Sequence, residues 1–301
     1  MSWFESFTAQ RMAVNGSDVF VRTGGNPAKP ALMLLHGFPQ THAMWQRVAR
    51  ALREDYFLVL PDLRGYGDSA KPPGLPDHSN YSKRAMAHDL VLLMEALDRP
   101  QFGLCGHDRG GRVAHRLALD HAERVTKLCL IDIAPTLDMY NNTTMAFAQA
   151  YYHWFHMIQP SPLPEIMMGA HNAETALSYL HAKLGGWGSD GLDFIEPLAL
   201  AEYERCFCNA DTLHAVCEDY RASASVDLEH DQRSRERGHK ISCDLLILWG
   251  NRGVVQRLFK PLELWQAQCG LPVLGQLMPA GHFIPEELPE ATALALQQFF
   301  R

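Results

Sequence analysis

Four short apolar runs, Ala31 to Leu35, Phe57 to Leu60, Phe102 to Cys105 and Leu128 to Ile131, carry no polar alternation. A strand with one wet face alternates polar and apolar side chains, so unbroken runs of this length mark strands covered on both faces, as in a parallel sheet flanked by helices. The segments between them can supply such helices. Ser82 is suited to cap one, and behind it Met86, Leu90, Leu93, Met94 and Leu97 recur at three-and-four spacing to make a single apolar face. The first 132 residues therefore follow a β-α-β rhythm.

The rhythm stops after Asp132 and resumes near Cys243. A strand is expected at Leu245 to Leu248, a helix around Leu258 to Gln268, a strand at Val273 to Leu277 and a last helix from Pro289 to Phe300. The ~100 residues between are rich in aromatics, Met and His, contain Pro160, Pro162 and Pro164, and show helical patterning. They read as a helical lid or cap, residues 135–239, inserted into an α/β core built from residues 1–134 and 240–301. At roughly 150 residues per domain, 301 residues allow two units or one core with an insertion.

Composition narrows the function. With 47% hydrophobic and 20% charged residues the chain is an ordinary globular sequence, which excludes disorder, collagen-like repeats and a disulfide scaffold. The 27 Lys+Arg against 34 Asp+Glu, a net charge of −7, argue against general attraction to nucleic acid or to an anionic membrane, because that attraction rests on basic side chains meeting phosphates. A small-molecule partner fits better. Neither a secretory leader pattern nor an apolar run of the ~18 residues that a membrane span needs is visible. Seven cysteines, an odd count with two inside strand-like runs, suit reduced thiols in a cytoplasm. The fifteen histidines include no H-E-x-x-H and accompany no paired C-x-x-C, so no metal is expected.

Gly106-His107-Asp108-Arg109-Gly110 lies between a buried strand and a helix presenting Val113, Leu117 and Ala118. It has the spacing of the G-x-S-x-G nucleophile elbow with Asp in place of Ser, and its small residues suit a tight turn where bulkier neighbours would clash. His36-Gly37-Phe38-Pro39 follows the strand at 31–35, where an elbow fold contributes an oxyanion-hole N–H, here from Phe38, to partner that of Arg109. Ala280-Gly281-His282-Phe283 follows the last strand, where the late histidine of the nucleophile-acid-histidine order belongs. Arg109 and Arg112, at i and i+3, can share a helix face and clamp a carboxylate, or can be solvent-facing or salt-bridged.

The segments His36-Gly37-Phe38-Pro39-Gln40-Thr41-His42, Gly106 to Arg112, Tyr152-His153-Trp154, Cys217-Glu218-Asp219-Tyr220-Arg221 and Gly281-His282-Phe283, in this order along essentially the whole chain, resemble the α/β-hydrolases, and within them the fluoroacetate (haloacetate) dehalogenases. The resemblance implies a mostly parallel sheet flanked by helices with an inserted helical cap, no cofactor, a homodimer, and hydrolysis of a small 2-haloacid. By the same resemblance Asp108 is the nucleophile, His282 the base, and Arg109 and Arg112 bind the substrate carboxylate. His153, Trp154 and Tyr220 bind halide, although a Tyr-His-Trp cluster taken alone reads as packing; Tyr152 and Trp187 fall to the pocket wall. For the acid, Gly250-Asn251-Arg252-Gly253 offers no carboxylate, and the family places it at Asp132, a strand-end residue that can also simply cap a turn. Haloalkane dehalogenases and epoxide hydrolases share the Asp elbow but typically carry Trp after the nucleophile, where this chain has Arg109. An epoxide hydrolase using the same Asp108 and His282, and a catalytically dead receptor of the same fold, are the competing readings.

Overall fold

The computed structural model describes residues 4–189 and 191–301. One sheet of eight strands runs through it: β1 (Thr8–Val14), β2 (Ser17–Gly25), β3 (Ala31–Leu35), β4 (Phe57–Pro61), β5 (Phe102–His107), β6 (Val125–Ile131), β7 (Asp244–Gly250) and β8 (Leu274–Met278). Their spatial order is β1-β2-β4-β3-β5-β6-β7-β8. From β4 to β8 every pairing is parallel, whereas β2 is antiparallel to both its neighbours. All residues of β3 and β5 are buried, which is why these strands carry no polar alternation.

The antiparallel pair β1–β2 lies outside the four apolar runs, because both strands are half exposed at the sheet edge. Val14 pairs with Ser17, so Asn15 and Gly16 form a two-residue hairpin turn, and both have positive φ (51° and 70°). Asn-Gly favours this conformation.

The helices cover the sheet. α1 (Gln46–Leu52), α2 (Lys83–Ala96) and α3 (Asp108–Asp120) alternate with β3 to β6. Ser82 caps α2, its hydroxyl accepting from the Ala85 N–H at 3.1 Å, and Met86, Leu90, Leu93 and Met94 are buried as their spacing requires. Between β6 and β7 come α4 (Thr136–Asn141), α5 (Met145–Ala150), α6 (Tyr152–His156), α7 (Leu163–Met167), α8 (Ala173–Leu184), α9 (Pro197–Phe207), α10 (Ala210–Ser223) and α11 (Val226–Glu236), with no strand among the described residues. The single helix expected around Leu258 to Gln268 is two, α12 (Val254–Leu258) and α13 (Pro261–Gln268). Pro261 has no N–H to continue a helix and disfavours a helical residue before it, and Phe259 is extended. α14 (Ile284–Glu287) and α15 (Pro289–Phe300) close the chain. No helix among the described residues is long and apolar enough to cross a membrane, and all seven cysteines are free thiols.

The parallel strands all point one way, so the loops after Leu35, His107, Ile131, Gly250 and Met278 gather at one edge of the sheet. Open α/β sheets bind ligands outside the carboxyl ends of their strands.

Candidate active site

The turn from β5 into α3 holds Asp108 at φ 45°, a left-handed conformation that a residue with a Cβ rarely adopts and that concentrates at functional sites. The close approach of strand and helix explains the flanking glycine: a Cβ on Gly106 would lie 2.5 Å from the Gly110 carbonyl oxygen. From the loop after β3, the Phe38 N–H donates to Asp108 Oδ1 at 3.0 Å, leaving Oδ2 free of that contact. His282, after β8, places Nε2 4.0 Å from Asp108 Oδ2 and Nδ1 2.6 Å from Asp132 Oδ2. Asp132, at the end of β6, also accepts from the Gly250 N–H at 3.0 Å. An Nδ1–H directed at Asp132 leaves the Nε2 lone pair on the Asp108 side. The His282 loop is itself held, its carbonyl accepting from His107 Nε2 at 2.9 Å and its N–H donating to the Trp187 carbonyl at 3.0 Å.

Burial alone would raise the Asp108 carboxyl, but the fields of His282, Arg112, His107 and Arg109 outweigh it and hold the group below the ordinary carboxylate value, so it is an anion at neutral pH. Burial would lower His282, yet its hydrogen bond to Asp132 and the charges of Asp132 and Asp108 raise it.

The two arginines of α3 have different surroundings. Arg109 is bidentate to Asp219 of α10, with Nε to Oδ2 at 2.7 Å and Nη2 to Oδ1 at 2.9 Å, and its Nη2 also reaches Ser223 Oγ at 2.5 Å. Asp219 further accepts from Tyr66 at 2.7 Å and pairs with Lys83. Arg112 donates from Nη1 to the Ala134 carbonyl at 3.1 Å and to Thr136 Oγ1 at 2.9 Å, and from Nη2 to Met139 Sδ at 3.4 Å. All three acceptors are neutral. Each guanidinium keeps one buried nitrogen, Arg109 Nη1 and Arg112 Nε, with no hydrogen-bond partner among the described residues.

Aromatic donors from α6 and α10 surround Phe38. The His153 ring stacks on it at 5.8 Å, Tyr220 meets it edge-on at 5.7 Å, and His153 and Trp154 lie 5.6 and 6.3 Å from Tyr220. His153 Nδ1, Trp154 Nε1 and Tyr220 Oη are buried without a partner. Burial holds the His153 imidazole far below its ordinary value, hence neutral, with one N–H to give. Polar groups in a protein interior are nearly always satisfied, so such a concentration of unpaired donors calls for a ligand that completes them. Among the described residues no group of three or more His, Cys, Asp or Glu side chains could hold a metal ion.

Residues 30–284 match the family model described as the alpha/beta hydrolase fold. The chain belongs to the α/β-hydrolase family. It is a hydrolase, 41% identical to a fluoroacetate dehalogenase from a Burkholderia species over 98% of this chain and 94% of that protein. A soluble epoxide hydrolase from Corynebacterium sp. strain C12 is 28% identical over 97% of each chain. The crystal structure of a Nostoc sp. PCC 7120 protein, described as an α/β-hydrolase, superposes with a TM-score of 0.93 at 48% identity and covers 98% of both chains.

Within this α/β-hydrolase the structure brings Asp108, His282, Asp132 and the Phe38 N–H into direct or near contact, with His153, Trp154, Tyr220, Arg109 and Arg112 around them. Tyr152 departs from the expected wall position. It is 47% exposed, while its neighbour Tyr151 is buried 5.6 Å from Trp187 and 6.4 Å from His282, ring to ring. Tyr151 is the non-helical junction between α5 and α6, with φ −117° and ψ 43°, and α6 begins at the exposed Tyr152. Asp219, the counter-ion of Arg109, was not singled out from the sequence. Its signal was its place beside Tyr220, but only the packing of α10 on α3 reveals its partner.

Proposed function

We propose that the protein is a hydrolytic dehalogenase of small 2-haloacids, converting fluoroacetate or chloroacetate to glycolate and halide. The observation that carries this reading is the set of five unpaired buried polar atoms, Arg109 Nη1, Arg112 Nε, His153 Nδ1, Trp154 Nε1 and Tyr220 Oη, beside an aspartate elbow. A haloacid needs donors at both ends, for its carboxylate and for the departing halide; the fluoroacetate dehalogenase among the relatives supports the assignment. An epoxide is neutral and leaves Arg112, whose acceptors are all neutral, without an anionic partner.

Asp108 Oδ2 attacks the α-carbon, the carbon–halogen bond breaks as the carbon–oxygen bond forms, and halide leaves toward His153, Trp154 and Tyr220. Fluoride concentrates its charge and is strongly hydrated, so positioned N–H and O–H groups replace its water as charge develops. Asp108 then carries the glycolate ester. His282 Nε2 takes a proton from water as that water adds to the ester carbonyl carbon. The Phe38 N–H, already on Asp108 Oδ1, with the Arg109 N–H as its partner, stabilises the tetrahedral oxyanion, a contribution of about 3 kcal/mol per donor. Its collapse frees glycolate and restores the Asp108 carboxylate, and His282 gives up its proton. The helices from 135 to 239 act as a cap that keeps bulk water from this chamber.

Two measurements test the reading. Purified protein incubated with fluoroacetate or chloroacetate releases halide, and Asp108→Ala releases none. His282→Ala releases about one halide per chain and then stalls, as hydrolysis alone needs a base; mass spectrometry finds the ester on the peptide containing Asp108. An epoxide hydrolase yields no such adduct from a haloacid, and adduct on any other residue refutes the mechanism. A cytoplasmic setting and a homodimer accompany the proposal, the latter tested by light scattering against the 33.9 kDa chain mass.

A further inference from the structure

Lys183, near the end of α8, is only 4% exposed and has three aromatic rings around its ammonium: Nζ lies 3.6 Å from the ring centre of Tyr152, 5.1 Å from that of Tyr179 and 5.7 Å from that of Trp187. Burial pushes this ammonium down to about 8, with no acidic side chain opposing the shift. A buried charge is normally paired, and aromatic faces compensate it only in part while offering its N–H groups no hydrogen-bond acceptor. His156 belongs to the same cluster. Its ring lies 6.5 Å from Tyr152 and 6.2 Å from Tyr179, and both its ring nitrogens are buried without a partner. The group thus holds a cation and a further N–H donor; among the described residues no carboxylate is paired with Lys183, and the Glu165 charge, itself bound to Arg221, acts on His156 without a hydrogen bond to it.

The position matters as much as the charge. Trp187, which forms part of the lysine cage, also lies 4.7 Å from the His153 ring and 5.3 Å from the His282 ring. Trp187 thus borders both the Lys183 cage and the proposed catalytic chamber, and the Lys183 charge acts on His153 itself. We propose that Lys183 and His156 form a second anion-binding site, taking one small monovalent anion on its way into or out of that chamber. The shared chemistry is that of a halide or of a haloacid carboxylate. Which of the two uses it rests on the dehalogenase reading; the binding itself does not.

Trp187 is a built-in reporter, since bromide beside an indole quenches its fluorescence. Bromide titration at constant ionic strength gives a saturable quenching phase in the wild type that persists in Trp154→Phe, which removes one donor of the proposed halide pocket, and disappears in Trp187→Phe, which removes the reporter. In Lys183→Gln the phase weakens about tenfold or more, as expected for loss of one charged hydrogen bond. Lys183→Arg keeps the charge and stays within a few fold of wild type, which controls for a local collapse on substitution. Unchanged affinity in the Gln variant, or equal loss in a folded Arg variant, overturns the site. Competition of chloroacetate with bromide, followed in Asp108→Asn protein that cannot turn over, assigns the site to entering substrate, and absence of competition assigns it to leaving halide. Quenching needs no turnover, so a protein that shows the Lys183-dependent phase but releases no halide from haloacids refutes the dehalogenase reading alone.

Discussion

At the scale of single residues, the proposed role of His282 as base requires one protonation state. To take a proton from water, Nε2 must be unprotonated, and the hydrogen bond to Asp132 with the nearby carboxylate charges raises the imidazole above its ordinary value of 6.5. The base is therefore lost as pH falls through that raised value, and ester hydrolysis slows on the acid side while halide displacement, which needs only the Asp108 anion, continues. Single-turnover measurements should show ester hydrolysis falling away on the acid side while halide displacement persists; ester hydrolysis with no acid limb contradicts the assignment. Arg112 allows a second prediction. Arg109 has its charge matched by Asp219, but the acceptors of Arg112 are all neutral, which leaves it the stronger attractor for an incoming carboxylate. Arg112→Ala should weaken kcat/KM on haloacetate by about 2–5 kcal/mol, the usual cost of removing one member of a buried charge pair. Circular dichroism should be unchanged, and a loss of only a few fold in kcat/KM places the clamp elsewhere. Replacing Trp154 or Tyr220 by Phe should slow defluorination more than dechlorination, because fluoride leans harder on each donor; equal losses would mean that these side chains only shape the cavity.

At the scale of elements, α3 and α10 are locked together by a charge cluster under the site. Asp219 accepts from Arg109 and Tyr66 and pairs with Lys83, and Lys83 also lies 3.5 Å from Asp227. Asp219→Asn preserves shape but strands Arg109 and leaves Lys83 only Asp227, so unfolding in urea should show a loss of about 3–5 kcal/mol, as for other broken buried pairs. Haloacetate KM should rise with it, because Arg109 loses the partner that fixes its free Nη1. A variant with wild-type stability and KM would show that Arg109 is held by α3 alone. This cluster also shows where the sequence is mute. The elbow, the Phe38 loop and the His282 loop each sit directly after a buried strand, and apolar runs with small-residue turns announce them locally. Asp219 differs from any other helical carboxylate only through a contact 110 residues away in sequence. The β1–β2 hairpin had a local signal, Asn15-Gly16 between half-exposed strands, but weak edge alternation stands out less than unbroken apolar runs. The split of α12 from α13 was likewise legible at Pro261, and the apolar periodicity that continues past it masks the break.

At the scale of the whole molecule, the inserted helices must be anchored so that His153, Trp154 and Tyr220 stay over Asp108, and one anchor is Glu286. This carboxyl group on α14 accepts from Tyr203 of α9 at 2.9 Å and from Gln40 in the loop after β3, and the Glu286 backbone carbonyl accepts from Arg47 of α1. It thus ties the helices between β6 and β7, the loop after β3 and the segment that follows His282 at one buried point. Burial raises its carboxyl from 4.5 to about 8, against the hydrogen bonds of Tyr203 and Gln40 and the charge of Arg47, so at neutral pH the group is mostly protonated. A carboxyl that binds its proton more tightly folded than unfolded contributes stability that is fully present below its unfolded value and is lost as pH rises through the folded one. Tm should therefore fall from about pH 5 to about pH 8 through this group. Glu286→Gln, which cannot ionise, should flatten that slope and exceed the wild type in relative stability on the alkaline side. If the anchor also holds the insertion over the site, the wild type should lose haloacetate turnover in parallel above about pH 8 while the Gln variant retains it. A Gln variant with the same Tm slope as wild type would show that Glu286 is already ionised at neutral pH, and the anchoring would then be an ion-assisted contact with Arg47 rather than a neutral hydrogen-bonded one.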